Sequence, residues 1–378
     1  MSSSVNKILI IGGGFSGMAA AIQFRRQGVA VDIVEKNPNW RAYGAGISIG
    51  GATLRALQTL GLLEQFRQHG YVGDGLEIYD EHGNFLARLT TPPPAGADVP
   101  ASGAIMRPVL SDIMAEACTA AGCHVRVGTT CTDIQLHADR VAVAFSDQTS
   151  DSYDLVIGAD GLMSQTREQL FPGAPRPQFS GQGVWRAVFE RPDHIRSTVL
   201  WHSEEKQMKI GVNPVSPTHM YLFLNDTRAT NEFIPPEQQP ELLREMMRRF
   251  DAPGVQALAD QIGPDSQVLY RPLEGLLMPL PWHRGRVVLI GDAVHATTPH
   301  LAMGAGIGIE DAIVLAEEVA AHSDLEEALV AFEQRRWERC RLVVENSRRL
   351  GEIEMAGGDQ REHARLMQES MIAIAAPI

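Results

Sequence analysis

Apolar and polar positions fall in blocks that predict alternating strands and helices. Val5 to Ile11 is a short apolar run ended by Gly12-Gly13-Gly14, Met18 to Gln27 has helical spacing, and Val29 to Val34 is a second strand-like run. The chain therefore opens with a strand–helix–strand unit. Gly44 to Ile49 is too glycine-rich for a helix and reads as a loop feeding a helix over Ala52 to Leu63. Leu76 to Leu89 alternates around Glu81-His82-Gly83-Asn84 and predicts a hairpin, which Pro92-Pro93-Pro94 ends. Val109 to Ala121 predicts a helix, and Val125 to Val127, Val141 to Phe145 and Tyr153 to Ile157 predict strands. After Phe171 the period changes to two: Val184 to Phe189, Thr198 to His202, Gln207 to Val212 and Met220 to Asn225 predict a mostly antiparallel sheet. A helix over Glu241 to Phe250 and a strand at Val268 to Arg271 follow. Val287 to Ile290 returns to a buried strand, then come a glycine-rich turn and long helical stretches from Ile309 to about Leu350. The expected fold is α/β: a Rossmann-like domain over residues 1–72, 102–175 and 276–378, interrupted by a mostly antiparallel-sheet substrate domain, residues 73–101 and 176–275.

Composition narrows the function classes. Apolar residues at 44% and charged residues at 21% are those of a folded globular chain, so disorder and fibrous architecture are excluded. A net charge of -13 opposes binding to a phosphate backbone or an anionic membrane surface, so no nucleic-acid or membrane partner is expected. Cys118, Cys123, Cys131 and Cys340 form no CxxC pair and suit a reducing compartment. Ile8 to Ile11 is too short for a signal-peptide core, and Gly351 to Ile378 is too mixed for a membrane anchor. A cytoplasmic protein is expected. The 12 histidines form no HExxH motif, so no metal site is expected.

The loop Gly12-Gly13-Gly14-Phe15-Ser16-Gly17 is a GxGxxG between a strand and a helix. Its glycines permit a tight turn, approach of backbone to a pyrophosphate and close helix–strand packing, while the helix N-terminus turns N–H groups toward the anion. Glu35 lies eighteen residues past Gly17 at the end of the second strand, where a carboxylate accepts from both hydroxyls of an adenosine ribose. A carboxylate there disfavours a 2'-phosphate, which leaves FAD or NAD.

Two further segments decide between them: DLVIGADGLMSQTR from Asp154 to Arg167, and GRVVLIGDAVHATTPHLAMGAGIGIEDA from Gly285 to Ala312. With the glycine loop, they make the chain resemble the single-component FAD-dependent aromatic hydroxylases typified by para-hydroxybenzoate, salicylate and 6-hydroxynicotinate hydroxylases. The resemblance implies FAD as cofactor, held by Gly12, Gly14, Gly17, Glu35, Lys36, Gly46, Arg107, Asp160, Arg167, Asp292, Gly304 and Ala305. Asp292 would accept from a ribityl hydroxyl; a helix-cap aspartate is the alternative. Asp160 and Arg167 would steady the pyrophosphate region and the transient nicotinamide, where a local cap and a surface arginine are the alternatives. Arg107 would lie along the FAD chain, and the helix start near Gly304 would face the flavin. Pro299 matches the proline beside the flavin ring, while Ala302-Met303-Gly304 departs from the commoner GQG. His295 reads as a structural hydrogen-bonding histidine.

In the chemistry this family implies, NADH or NADPH reduces FAD, O2 adds at flavin C4a, and the hydroperoxide hydroxylates a small aromatic or heteroaromatic compound. Epoxidation, attack on a larger polycyclic compound, and a non-catalytic FAD-binding redox sensor are the alternatives. The substrate is expected between flavin and antiparallel sheet. There Lys209 alternates with Met208, Ile210 and Val212, and it meets either the flavin side, holding a substrate anion, or solvent. Tyr221 and Arg186 are further catalytic candidates; Trp185, His202 and His219 are weaker ones. A monomer or homodimer is expected.

Overall fold

The computed structural model describes residues 5–40, 44–91, 93–94, 96, 98–203, 205 and 207–378. Its first layer is a six-stranded sheet in the order His283–Arg284, Val287–Leu289, Leu155–Gly158, Lys7–Ile11, Ala30–Glu35, His124–Val127. All neighbours are parallel except the first pair. Parallel strands need covering on both faces. Helices Phe15–Arg26, Arg107–Ala120 and Gly304–Ala321 cover one face, with Met18, Ala19, Ala20, Ala21 and Ile22 among the fully buried side chains. A three-stranded antiparallel sheet, Cys131–Leu136, Val141–Phe145 and Ser150–Tyr153, packs Ile134, Val143 and Tyr153 against Leu9, Val34 and Val156 on the other.

The second large layer is a seven-stranded sheet: Val268–Gly275, Gln178–Glu190, His219–Thr227, Met208–Pro214, Thr198–Ser203, Gly75–Asp80, Phe85–Thr90. It is antiparallel except where Thr198–Ser203 runs parallel to Gly75–Asp80. Because side chains alternate across a strand, one face carries Trp185, Ala187, Ile210, Val212, Leu222 and Leu224, and it buries them against helices Gln239–Met247 and Pro253–Ala259.

The glycine-rich stretch expected to be a loop is instead a strand, Gly46–Gly50, paired with Ser102–Met106, which also pairs with Tyr71–Gly73. Glycine lowers strand propensity, but Ile47 and Ile49 alternate there and both are buried, so burial decides. The C-terminal helical region divides into Gly304–Ala321, Leu325–Ala356 and Gln360–Ala375. Gly357, at φ 57°, ends the second of these. No helix among the described residues is long and apolar enough to cross a membrane.

Candidate active site

The three motif glycines serve distinct purposes. Gly12 has φ 106°, and a Cβ there would stand 2.3 Å from the Ala159 carbonyl oxygen. A Cβ on Gly17 would stand 2.1 Å from the Gly12 oxygen, so this glycine lets helix meet strand. Gly14 differs: it caps Phe15–Arg26 without a side-chain partner, and a Cβ on it would meet nothing within 4 Å. No side chain claims the amides of that first turn and the space beside Gly14 is open, which suits a pyrophosphate. Glu35 is fixed by backbone donors, Gly13 N–H to Oε2 at 2.8 Å and Asn37 N–H to Oε1 at 2.7 Å. Its carboxylate has lone pairs left for two ribose hydroxyls. Lys36 beside it is exposed.

Asp292 follows Gly291 (φ 63°) at the end of Val287–Leu289. Solvent reaches its carboxylate, yet protein surrounds it, and that burial pushes its pKa up against the opposing pull of His295 and Arg107. A carboxylate in a cleft of this kind wants hydroxyl donors. Beneath it, Asp311 Oδ2 accepts from Gly291 N–H (2.9 Å) and pairs with His295 Nε2 (2.5 Å), while Oδ1 accepts from Arg336 Nε at 2.8 Å. Burial opposes a charged His295, but Asp311 outweighs it and raises the imidazole pKa well above its usual value. His295 is therefore structural, as the sequence suggests. His295, Asp311 and Cys340 offer ligand atoms within 4.8 Å of one another, but the Arg336 guanidinium already occupies the cation's place.

Gly304 and Ala305, both half-buried, begin Gly304–Ala321 with no side-chain cap, so amides there are free to face a ligand. Pro299 is exposed, and Ala302 takes the left-handed conformation (φ 52°) that the departure from glycine makes costly. Ser16 locks the two cofactor-facing helices together: a Cβ on Gly291 or Gly308 would stand 2.4 or 2.1 Å from its Oγ. The close approach of Ser16 to Gly291 and Gly308 is a property of the crossing, which no local sequence pattern encodes.

Several expected cofactor contacts are committed elsewhere. Asp160 braces the start of the helix Gln165–Leu170, whose N-cap is Ser164, accepting from Ser164 Oγ at 2.5 Å and from Thr166 N–H (3.0 Å) and Oγ1 (2.9 Å). Arg167 is buried and donates to the carbonyls of Ala293 (2.8 Å) and Leu162 (2.9 Å), so it is neither a surface arginine nor open to a nicotinamide. It ties the turn after Leu155–Gly158 to the segment carrying Asp292. Gly46 admits the Tyr221 ring, whose Cδ1 would lie 2.3 Å from a Cβ there. Arg107 donates its N–H to Ala45 O, and its side chain passes Gly44 and stays half-buried.

The second face of the seven-stranded sheet is read from its register. One row across the strands is His202, Lys209, Asn225 and Val184; the next is Leu200, Gly211, Phe223 and Arg186; a third is Thr198, Asn213, Tyr221 and Val188. The third row meets the strand Gly46–Gly50, since Ser48 Oγ bonds both Tyr221 Oη and Asn213 Nδ2 at 2.8 Å. At the first row Lys209 Nζ bonds Glu354 Oε1 at 2.7 Å, and Glu354 lies 3.4 Å from His300, the neighbour of Pro299. This face therefore turns toward the cofactor-binding layer, and the ammonium of Lys209 already has a protein partner. Burial would raise the Glu354 pKa, but Lys209, His300 and His363 hold it well below the usual range. In the middle row the Phe223 ring lies over Gly211. Arg186 stands beside it, largely buried, its pKa lowered to about 10 by burial and by Arg107 and Arg271, with Tyr221 opposing. Trp185 is on the opposite, core face, bonded to Asp226 at 3.1 Å, whereas His219 shares the face of Tyr221 and Phe223 but lies exposed at the strand end.

A family profile described as FAD binding domain matches residues 6–347. The chain is 30% identical over 347 residues to aurachin C monooxygenase/isomerase of Stigmatella aurantiaca, covering 92% of this chain and 89% of that protein. It is 30% identical over 359 residues to 6-hydroxynicotinate 3-monooxygenase of Pseudomonas fluorescens, covering 89% of each. The solved structure of Klebsiella pneumoniae HpxO complexed with FAD and uric acid shares the fold, with TM-score 0.84 at 23% identity over 98% of this chain and 97% of that one. The chain thus belongs to the FAD binding domain family and is an FAD-dependent monooxygenase.

Proposed function

We propose that the chain hydroxylates a small aromatic or heteroaromatic compound that carries an anionic group, with NADH or NADPH as electron donor. Arg186 carries this reading. Among the described residues no carboxylate pairs with its guanidinium, and Arg107 and Arg271 add like charge around it. Arg271, opposite Val184, shares its face of the sheet. A largely buried cation without a counter-ion favours an anionic ligand, which would supply charge-assisted hydrogen bonds. Phe223 over Gly211, with Leu200, offers an apolar seat for the ring beside it.

Gly14, Gly304 and Ala305 would hold FAD through backbone amides, Glu35 its ribose, and Asp292 its ribityl chain. FAD, when reduced, supplies the activation of O2. The chain's own part is to bind and orient: Pro299 and Tyr221 would flank the ring, and Arg186 would fix the end that is not hydroxylated. The relative that acts on 6-hydroxynicotinate supports an acidic heteroaromatic substrate. Four free thiols among the described residues support a cytoplasmic location.

The test is a panel of aromatic acids and their decarboxylated analogues, scored by NADH or NADPH oxidation and by product mass for one added oxygen. Acids should be preferred, and Arg186→Gln should raise their KM by about tenfold to a hundredfold while FAD stays bound. Equal use of neutral analogues by the unaltered enzyme would overturn the anionic class.

A further inference from the structure

Two of the four cysteines occupy positions that a helix ending brings together. Helix Arg107–Ala120 closes with Gly122 at φ 79°, Gly122 N–H donating to Thr119 O (3.0 Å) and Cys123 N–H to Cys118 O (3.1 Å). This paired 5→2 and 6→1 pattern is a Schellman ending, in which the side chains of the first and sixth residues touch. Here both are cysteine. Such a closure brings the two Cα atoms into the roughly 4.4 to 6.8 Å window that a disulfide requires.

Their surroundings differ in a useful way. Cys118 is fully buried, its thiol 3.4 Å from the Met18 carbonyl of helix Phe15–Arg26. Cys123 is half-exposed. Arg25 lies against the same turn: its Nε donates to Ala121 O at 2.9 Å, and its Nη2 would be 3.2 Å from a Cβ on Gly122. We propose that Cys118 and Cys123 form a reversible oxidation site that hydrogen peroxide, which a flavin monooxygenase releases when reduced flavin meets O2 without substrate, converts to a disulfide.

The chemistry balances within the pair. The Cys123 thiolate attacks one peroxide oxygen, the O–O bond breaks, and the other oxygen leaves as water, giving a sulfenic acid. The Cys118 sulfur then attacks that sulfenic sulfur, forming S–S and releasing a second water. Two thiols and one peroxide become one disulfide and two waters. The neighbouring Cys118 thiol and Arg25 lower the Cys123 pKa against the effect of burial, whereas the neighbouring Cys123 thiol and burial both raise that of Cys118. Half-exposed Cys123, which peroxide can reach, is the attacking sulfur and fully buried Cys118 the resolving one. Cys131 is an internal control, its thiol pushed up to about 12 by burial and Asp160.

The holoenzyme should be treated with stepwise hydrogen peroxide, alkylated and digested. The expected product is a peptide spanning 118–123 that is lighter by two hydrogens and is restored by dithiothreitol, formed at least about tenfold faster than any oxidation of Cys131. In Cys118→Ser, Cys123 should stop at a sulfenic acid that dimedone traps; in Cys123→Ser, Cys118 should resist the same dose. Direct passage of Cys123 to sulfinic acid in the unaltered enzyme, without the crosslink, overturns the proposal, as does reaction no faster than that of Cys131.

Discussion

Lys209 and Glu354, 2.7 Å apart and both mostly buried, join the strand Met208–Pro214 to the helix Leu325–Ala356 across 145 residues of sequence. The pairing changes what a Lys209 variant should do. Lys209→Met strands a carboxylate that also lies 3.2 Å from His363 and 3.4 Å from His300. We expect a loss of roughly 2 kcal/mol of stability, below the value for a fully buried pair because both side chains keep some solvent. Adding Glu354→Gln should recover most of it. Denaturant midpoints of the two singles and the double give the coupling, and additive losses would show that the pair does not act as one.

Gly14 and Gly17 separate cofactor binding from folding. Gly14→Val places its branched side chain in open space, so the protein should fold and purify without colour. Gly17→Val drives a side chain into the Gly12 carbonyl oxygen and should fail to fold. Circular dichroism and flavin absorbance on the two variants distinguish these outcomes; a yellow Gly14→Val would refute the cradle.

These two residues also mark what was legible. The glycine loop, Glu35 and Asp292 sit at strand ends within short motifs, where local geometry dictates the side chain's task. Other assignments depended on residues far away in sequence: Gly46 is explained by Tyr221, and Lys209 by Glu354. No pattern in Gln207 to Asn213 shows which of its faces turns toward the cofactor-binding layer and which to the helices of its own sheet. The local bonds of Asp160 were hidden for the opposite reason. Ser164 and Thr166, only four and six residues on, claim its carboxylate, a local competition that a motif does not reveal.

Arg167 should therefore act through the loop that it ties. Arg167→Met leaves the Ala293 and Leu162 carbonyls unpaired in a buried region, at a cost of roughly 2 to 4 kcal/mol. Asp160→Ala removes the brace at a helix start and should cost about 1 kcal/mol. The KM for NADH or NADPH, extrapolated to full FAD occupancy, should stay within about twofold for both. A tenfold rise specific to the nicotinamide would return Arg167 to the donor site.

His283 supplies a pH dependence with a definite sign. Its Nδ1 lies 2.6 Å from Glu333 Oε1 and its Nε2 3.0 Å from Glu326, and the bond to Glu333 raises its pKa to about 9 despite burial. The folded pKa exceeds the unfolded value near 6.5, so the protonated imidazole binds its proton more tightly in the folded chain. The stability this contributes, up to roughly 3 kcal/mol, is fully present below pH 6.5 and declines as pH rises through about 9. Glu333 Oε1 also accepts from the Trp282 and His283 amides, so the loss bears on the connection between the strand Val287–Leu289 and the helix Leu325–Ala356. Denaturation midpoints between pH 6 and 10 should fall in the unaltered enzyme and fall less in His283→Gln. Parallel declines in the two proteins would assign the pH effect to other groups.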